Sequence, residues 1–297
     1  KVTVAGLGCG GHSRLGLPGK GIDHAAGIVR AAYEAGVNFF DTAAAYGTEG
    51  AVGKGLEGIP RDAYVLSTKF PYPGKAAGDF EQSLHESLRQ LKTEYVDVYH
   101  LHGVKPDDYP RVRDTFVPLM LKAKQEGKIR FLGITEHFGT DTSHRMFADA
   151  LAEDIFDVAM VGYNLLNPSA AKSVFPLTLE KNLGVLCMFA VRSALSNPRQ
   201  LAIDIERILE HGQADPALVK AERPLDFLVR AGAAASIMEA AYRFCRHTPG
   251  VGVTLTGTGS AAHLRENLLS IQGPKLPEEI LARLGAMFGG VDCVSGQ

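Results

Sequence analysis

Eight short apolar runs recur along the chain, each followed by a stretch of helical length. They are VTVAGLG (2–8), VNFFD (37–41), AYVLSTKF (63–70), YVDVYHLH (95–102), KIRFLGIT (128–135), FDVAMVGY (156–163), GVLCMFA (184–190) and GVTLTG (252–257). Strands alternating with helices pair in parallel, with right-handed crossovers that lay the helices over the sheet. Eight such units close a (β/α)8 barrel, and a doubly wound open sheet is the alternative. Between the runs, DHAAGIVRAAYEAG (23–36), DFEQSLHESLRQLK (79–92) and DTFVPLMLKAKQEG (114–127) carry apolar residues at helical spacing. The last of these ends on Gly127, after lysines that suit the negative end of the helix dipole.

No Pro/Ser-rich linker or charge block divides the sequence, so residues 1–297 read as a single α/β domain, a TIM barrel. The spacing breaks once. Roughly 60 residues separate the seventh and eighth runs and hold the helical patterns RQLAIDIERILEHG, PLDFLVRAG and AAASIMEAAYRFCRH. Residues 192–232 are expected to hang as an insertion over the C-terminal rim of the barrel.

With 45% hydrophobic residues the chain can bury a sizeable core, and its net charge of −2 gives no electrostatic attraction to nucleic acid or anionic membrane surfaces. No apolar run approaches membrane-spanning length. Cys9, Cys187, Cys245 and Cys293 are scattered without a C-x-x-C pair, which points to reduced thiols and a cytoplasmic setting rather than a disulfide framework or zinc site.

Residues 6–11, GLGCGG, fit the dinucleotide fingerprint G-x-G-x-x-G. That motif needs a helix directly after the glycine turn, and here HSRLGLPGKG follows, full of helix breakers. The helical period resumes only near Ile22, so the segment reads as a strand running into a glycine loop.

In a barrel of this kind the active site lies at the strand C-termini and in the loops after them. Those positions hold Asp41, Lys69 and His102, with Tyr46 in the loop after the second strand. A buried lysine beside an aspartate is expected to be paired, because an isolated charge there costs too much. A lysine near the Tyr46 hydroxyl is expected to lower its pKa from about 10, making it a proton donor to a developing alkoxide. His102 is placed to hydrogen-bond and orient a carbonyl oxygen. Taken singly, Asp41 could cap a helix, Lys69 and Tyr46 could be surface residues, and either histidine of H-L-H could be a satisfied core group.

GVNFFDTAAAYG, VLSTKF, DVYHLH and GKIRFLGIT, in that order, resemble the aldo-keto reductases, and GTGSAAHLRENL is similar to their adenine-side cofactor segment. The resemblance implies a (β/α)8 barrel that binds a nicotinamide cofactor without a Rossmann domain. It also implies the catalytic tetrad Asp41, Tyr46, Lys69 and His102, with Tyr46 as the acid in carbonyl reduction. By the family's D-x-x-x-x-H spacing the catalytic histidine is His102, and His100 stands where an apolar residue is usual. Cys9 would lie beside the nicotinamide. The family's Ser-Asn pair, which holds the carboxamide, is here Thr135 and Glu136; its strand-six glutamine is Met160, and its stacking aromatic is Met188. On the adenine side the implied contacts are Thr258, Glu266 and Asn267, with His263 in place of an arginine and Gly257 in place of a lysine found in some members. NADP is the family default, and NAD is the alternative.

The substrate implied is a small carbonyl compound or its alcohol. Which one depends on GVKPDDYP (103–110), the insertion and GAMFGGVDCVSGQ (285–297), where residues alone do not name a ligand. Two other readings stand beside this one: a non-catalytic cofactor-binding redox sensor of the same fold, and a metal-dependent barrel hydrolase suggested by H-L-H at 100–102. The tetrad needs no metal.

Overall fold

The computed structural model describes residues 1–219 and 223–297. Eight parallel strands close a barrel in chain order: β1 (Ala5–Gly8), β2 (Phe39–Asp41), β3 (Val65–Phe70), β4 (Val96–Val104), β5 (Ile129–Glu136), β6 (Val158–Gly162), β7 (Gly184–Met188) and β8 (Val253–Thr256), with β8 pairing back onto β1. The apolar runs are longer than the strands, because each includes residues that enter or leave the barrel without pairing. The helices Asp79–Leu91 and Tyr109–Gln125 lie where periodicity puts them, the second starting a turn earlier on Pro110. After β1 the backbone turns left-handed at Gly16 and again at Gly21, so the regular part of the Leu17–Glu34 helix begins only past Gly21.

Side chains alternate in direction along each strand. Phe39, Met160, Leu186 and Val253 form one apolar cluster, joined by Val65, Val158, Met188 and Leu255, and this fills the barrel bore. Two and four residues further along β2 and β3 the inward positions become polar, with Asp41 on β2 and Ser67 and Lys69 on β3, and His100, paired with Lys69, and His102 stand beside them on β4. The period of two that makes the core thus also delivers these side chains to the C-terminal end of the bore.

The insertion builds a second core. Leu195, Leu201, Ile205 and Ile208 pack with Leu276, Ile280, Leu284 and Phe288, the latter three from the helix Glu278–Phe288, and with Leu165 and Leu166 from the loop after β6. Residues 220–222 of the expected insertion fall outside the described residues. The C-terminal segment is pinned to the same rim: Asn164 and Asn167 donate to the carbonyls of Ser295 and Val294, and the Ala194 amide donates to Gly296. No described helix is long and apolar enough to cross a membrane.

Candidate active site

Lys69 is wholly buried, and its Nζ lies 2.6 Å from Asp41 Oδ2 and 2.6 Å from the Thr42 carbonyl. The Ser67 hydroxyl donates to Asp41 Oδ1 at 2.8 Å. Burial pushes the Lys69 ammonium down, but the facing Asp41 and Tyr46 more than offset this and hold it up. Burial pushes the Asp41 carboxyl up, against the pull of Lys69 and Ser67. Two short charge-assisted contacts in a dry site keep this pair ionised.

Tyr46 closes a single 3-10 turn, Ala44–Tyr46, and its ring stands 4.9 Å from Lys69 Nζ, measured to the centroid. A methyl group on Gly10 would lie 2.6 Å from this ring, so the glycine loop after β1 leaves the space that Tyr46 occupies. The Tyr46 hydroxyl lies 3.3 Å from His102 Nε2, with the two rings edge to face. The expectation that Lys69 lowers the Tyr46 pKa is corrected here. Burial dominates and raises it, and the pull of Lys69 only limits the rise. Tyr46 therefore rests fully protonated, as a proton donor should. Burial, with Lys69 and His137 nearby, pushes His102 down to about 3, so it is a neutral imidazole at any physiological pH.

The tetrad side chains come together, and the residues expected at the nicotinamide make contacts of their own within the protein. Cys9 is buried beside Asp41, where burial raises its thiol pKa, and it offers no surface to the barrel mouth. Thr135 accepts the Gly103 amide at 2.6 Å. Glu136, expected at a carboxamide, is spent on the Gly162 amide at 2.7 Å and on His144 Nδ1 at 2.8 Å, where both side chains are fully buried. An eight-residue loop brings His144 back with a left-handed backbone, so Glu136 acts as a structural anchor between β5 and β6. Met160 is a bore residue, and Met188, half-buried, lies above it.

On the adenine side, Gly257 has no room for the lysine of some relatives, since a Cβ there would meet the Gly8 carbonyl at 2.5 Å. Thr258 Oγ1 accepts the Ser260 amide, and Ser260 caps the helix Ala261–Gln272 through the His263 amide. Asn267 donates to Thr256 Oγ1 at 2.9 Å, whereas His263 and Glu266 are exposed on the first turns of that helix.

Two features were missed from sequence. Ser67 shares the inward parity of Lys69, a signal that was available. Arg192, after β7, sits 3.9 Å over the Phe189 ring, and its Nη1 is buried with no hydrogen-bond partner. Among the described residues, no cluster of three histidines, cysteines or carboxylates could hold a metal ion; the two imidazoles of H-L-H turn to Ser67 and Tyr46 instead.

Comparison with known proteins gives a consistent result. L-galactose dehydrogenase of Arabidopsis thaliana is 39% identical over 123 residues, 38% of each chain, and matches to the first curated relatives span two-fifths to half of their lengths. The holo form of an aldo-keto reductase from Bacillus halodurans superposes with a TM-score of 0.71 at 24% identity, covering 95% of this chain and 91% of its own. A Klebsiella pneumoniae aldo-keto reductase in complex with NADPH gives 0.69 at 22% identity, covering 98% and 92%. The sequence profile described as the Aldo/keto reductase family matches residues 10–287, nearly the whole chain, and the protein belongs to that family.

Proposed function

We propose that this protein is an NAD(P)H-dependent oxidoreductase that interconverts a small aldehyde, ketone or sugar and its alcohol, with Tyr46 as the general acid. The observation that carries this reading is the Tyr46 hydroxyl held between a neutral His102 and the buried, charged Lys69. A carbonyl oxygen seated there accepts hydrogen bonds from the Tyr46 hydroxyl and a His102 ring N–H. As negative charge grows on that oxygen the Tyr46 proton transfers to it, and Lys69 stabilises the phenolate left behind. Asp41 holds Lys69 in place and charged.

A reduced nicotinamide dinucleotide, when bound, supplies the hydride for the carbonyl carbon. The phosphate end of such a cofactor fits this chain: the unpartnered Nη1 of Arg192 would hold a phosphate, while His263 and Glu266 present their side chains on the adenine side. The Klebsiella neighbour was solved with NADPH, which supports NADP as the cofactor, with NAD the alternative. A carboxamide grip by Glu136 does not fit, because its oxygens are already engaged. The relative named for L-galactose supports small polyhydroxylated carbonyl compounds as the substrate class.

The test is Tyr46→Phe, which keeps the ring and removes the proton. Turnover in carbonyl reduction is expected to fall about 10²–10⁴-fold, while NADPH affinity, read by fluorescence titration, stays the same. Full activity in this variant overturns the mechanism.

A further inference from the structure

His100 is an inward polar residue of the site that the chemistry above does not use. We propose that His100 is a positioning residue: it holds the Ser67 hydroxyl hydrogen on Asp41, and so keeps the Asp41–Lys69 pair in the charged form that Tyr46 faces. This rests on the carbonyl-reduction reading.

Strand register builds the chain of contacts. Asp41 pairs across from Ser67, Lys69 from His100, and His100 from Gly133. Ser67 Oγ lies 2.8 Å from Asp41 Oδ1 and 3.0 Å from His100 Nε2, with every member buried. An ionised carboxylate only accepts, so Ser67 spends its single hydrogen on Asp41 and must accept from His100. The Nε2–H tautomer follows. The Ser67 geometry alone fixes it, because the one hydroxyl hydrogen is already placed on Asp41. In the other tautomer Ser67 would turn its hydrogen to the imidazole, and Asp41 would lose a donor.

Space for the ring is built in. A methyl group on Gly133 would lie 2.2 Å from Nδ1, so the neighbouring strand gives up a side chain to host an imidazole where an apolar residue would also fill the bore. His100 is a fixed donor rather than a titrating one. Burial, then Lys69 and His102, hold its pKa well below the ordinary histidine value. The charged and titratable groups around it are Asp41 on β2, Lys69 on β3 and His102 on its own strand, while β5 presents Gly133 and Ile134, which do not titrate.

The experiment uses the full chain with His100→Leu, His100→Gln, Ser67→Ala and the Ser67→Ala/His100→Leu double variant. Asp41 ionisation is followed in the free protein by carboxyl ¹³C NMR, beside the pH profile of kcat for carbonyl reduction. Losing one donor from a buried carboxylate is expected to move the Asp41 midpoint, and the acid limb of kcat with it, upward by about 0.5–1 pH unit. Ser67→Ala shows the full shift. His100→Leu, which leaves Ser67 its hydrogen but removes the donor that fixes it on Asp41, shows a smaller shift in the same direction. The double variant adds nothing to Ser67→Ala, and His100→Gln, with an amide N–H in place of the ring N–H, restores the wild-type limb. A histidine that merely fills space would instead lower the melting temperature in His100→Leu and leave the Asp41 titration unmoved, and that result overturns the proposal. If His100→Leu does not fold, an unshifted Asp41 in Ser67→Ala overturns it equally. A wild-type chain that reduces no carbonyl with either cofactor defeats the carbonyl-reduction reading, and the NMR titration distinguishes that failure from failure of the hydrogen-bond chain.

Discussion

Asp41 and Asp97 are both almost wholly buried aspartates on this barrel, and both are ion-paired, yet only one belongs to the proposed chemistry. Asp97 accepts from Arg61 Nη2 at 2.7 Å, Arg130 Nη1 at 2.8 Å and the Leu66 amide at 2.9 Å. Its two cations reach solvent, with side-chain exposures of 21% and 56%, and arginine does not give up its proton in proteins. Asp41 faces one lysine with no solvent access, and beyond that lysine stands a phenol that can lose a proton. Asp97 sits at odd parity with His100 and His102, on the outer face of β4, whereas Asp41 points into the bore. Burial and pairing are therefore not the mark of a functional carboxylate. Facing the mouth beside a group that can move a proton is.

The sharpest way to break this comparison is to remove one cation from each aspartate. Lys69→Met leaves Asp41 uncompensated in a dry site, and destabilisation of about 3–5 kcal/mol is expected in chemical denaturation. Turnover should fall by at least about 100-fold as well, because the charge that stabilises the Tyr46 phenolate is gone. Arg61→Met leaves Asp97 with Arg130 and the Leu66 amide. The expected cost is about 1.5–3 kcal/mol, the worth of hydrogen bonds to charged groups, with turnover retained. Comparable loss of turnover in both variants would dissolve the distinction.

The inward site also carries a pH signature. His100 and His102 are held neutral in the folded barrel, His102 down to about 3. In the unfolded chain both take up protons near ~6.5. A folded pKa below the unfolded one means that the unfolded state binds more protons below that pH. Stability is thus expected to fall as pH drops from ~6.5, the part due to His102 continuing to about pH 3, with a slope of up to about 1.4 kcal/mol per unit for each histidine. Denaturation curves between pH 7 and 4 should be flatter in His102→Gln than in the wild type. Identical slopes would mean that His102 is not held neutral.

Much of this was legible beforehand. Eight alternating runs gave the barrel, and residues 41, 69 and 102 were readable as site positions because they end inward-facing strands. Tyr46 was readable by its place in the following loop, but the direction of its pKa was not: spacing shows a nearby lysine, whereas the depth of burial that outweighs it emerges only in three dimensions. Glu136 was assigned to cofactor by the family resemblance, where it stands in the carboxamide-holding pair. Its partner within the protein, His144, is brought back by a left-handed turn that no spacing rule announces. The insertion's apolar helices were visible, but their partner helix, Glu278–Phe288, lies some 70 residues further along the chain, beyond the reach of local pattern. Ser67 and His100 carry a signal in their parity, which was outweighed because a serine and a second histidine in a strand are usually unremarkable.

The smallest expected effect comes from Asp97→Asn. The side chain keeps its shape and one acceptor oxygen, so the bond from the Leu66 amide can persist while the charge disappears. Arg61 retains its bonds to the Tyr64 and Tyr95 carbonyls, and Arg130, more than half exposed, can be solvated. Neither guanidinium is left buried and unpaired, which is the condition that makes a broken pair expensive. The expected loss is about 1–2 kcal/mol in denaturant midpoint, near the worth of one charged hydrogen bond. The pH profile of kcat should not move, because no atom of the cluster lies in the bore with Tyr46, whereas the matching Asp41→Asn removes the partner that keeps Lys69 charged. Should Asp97→Asn shift the acid limb of kcat, strand parity would no longer separate structural from functional carboxylates, and the outer face of β4 would have to be counted as part of the site.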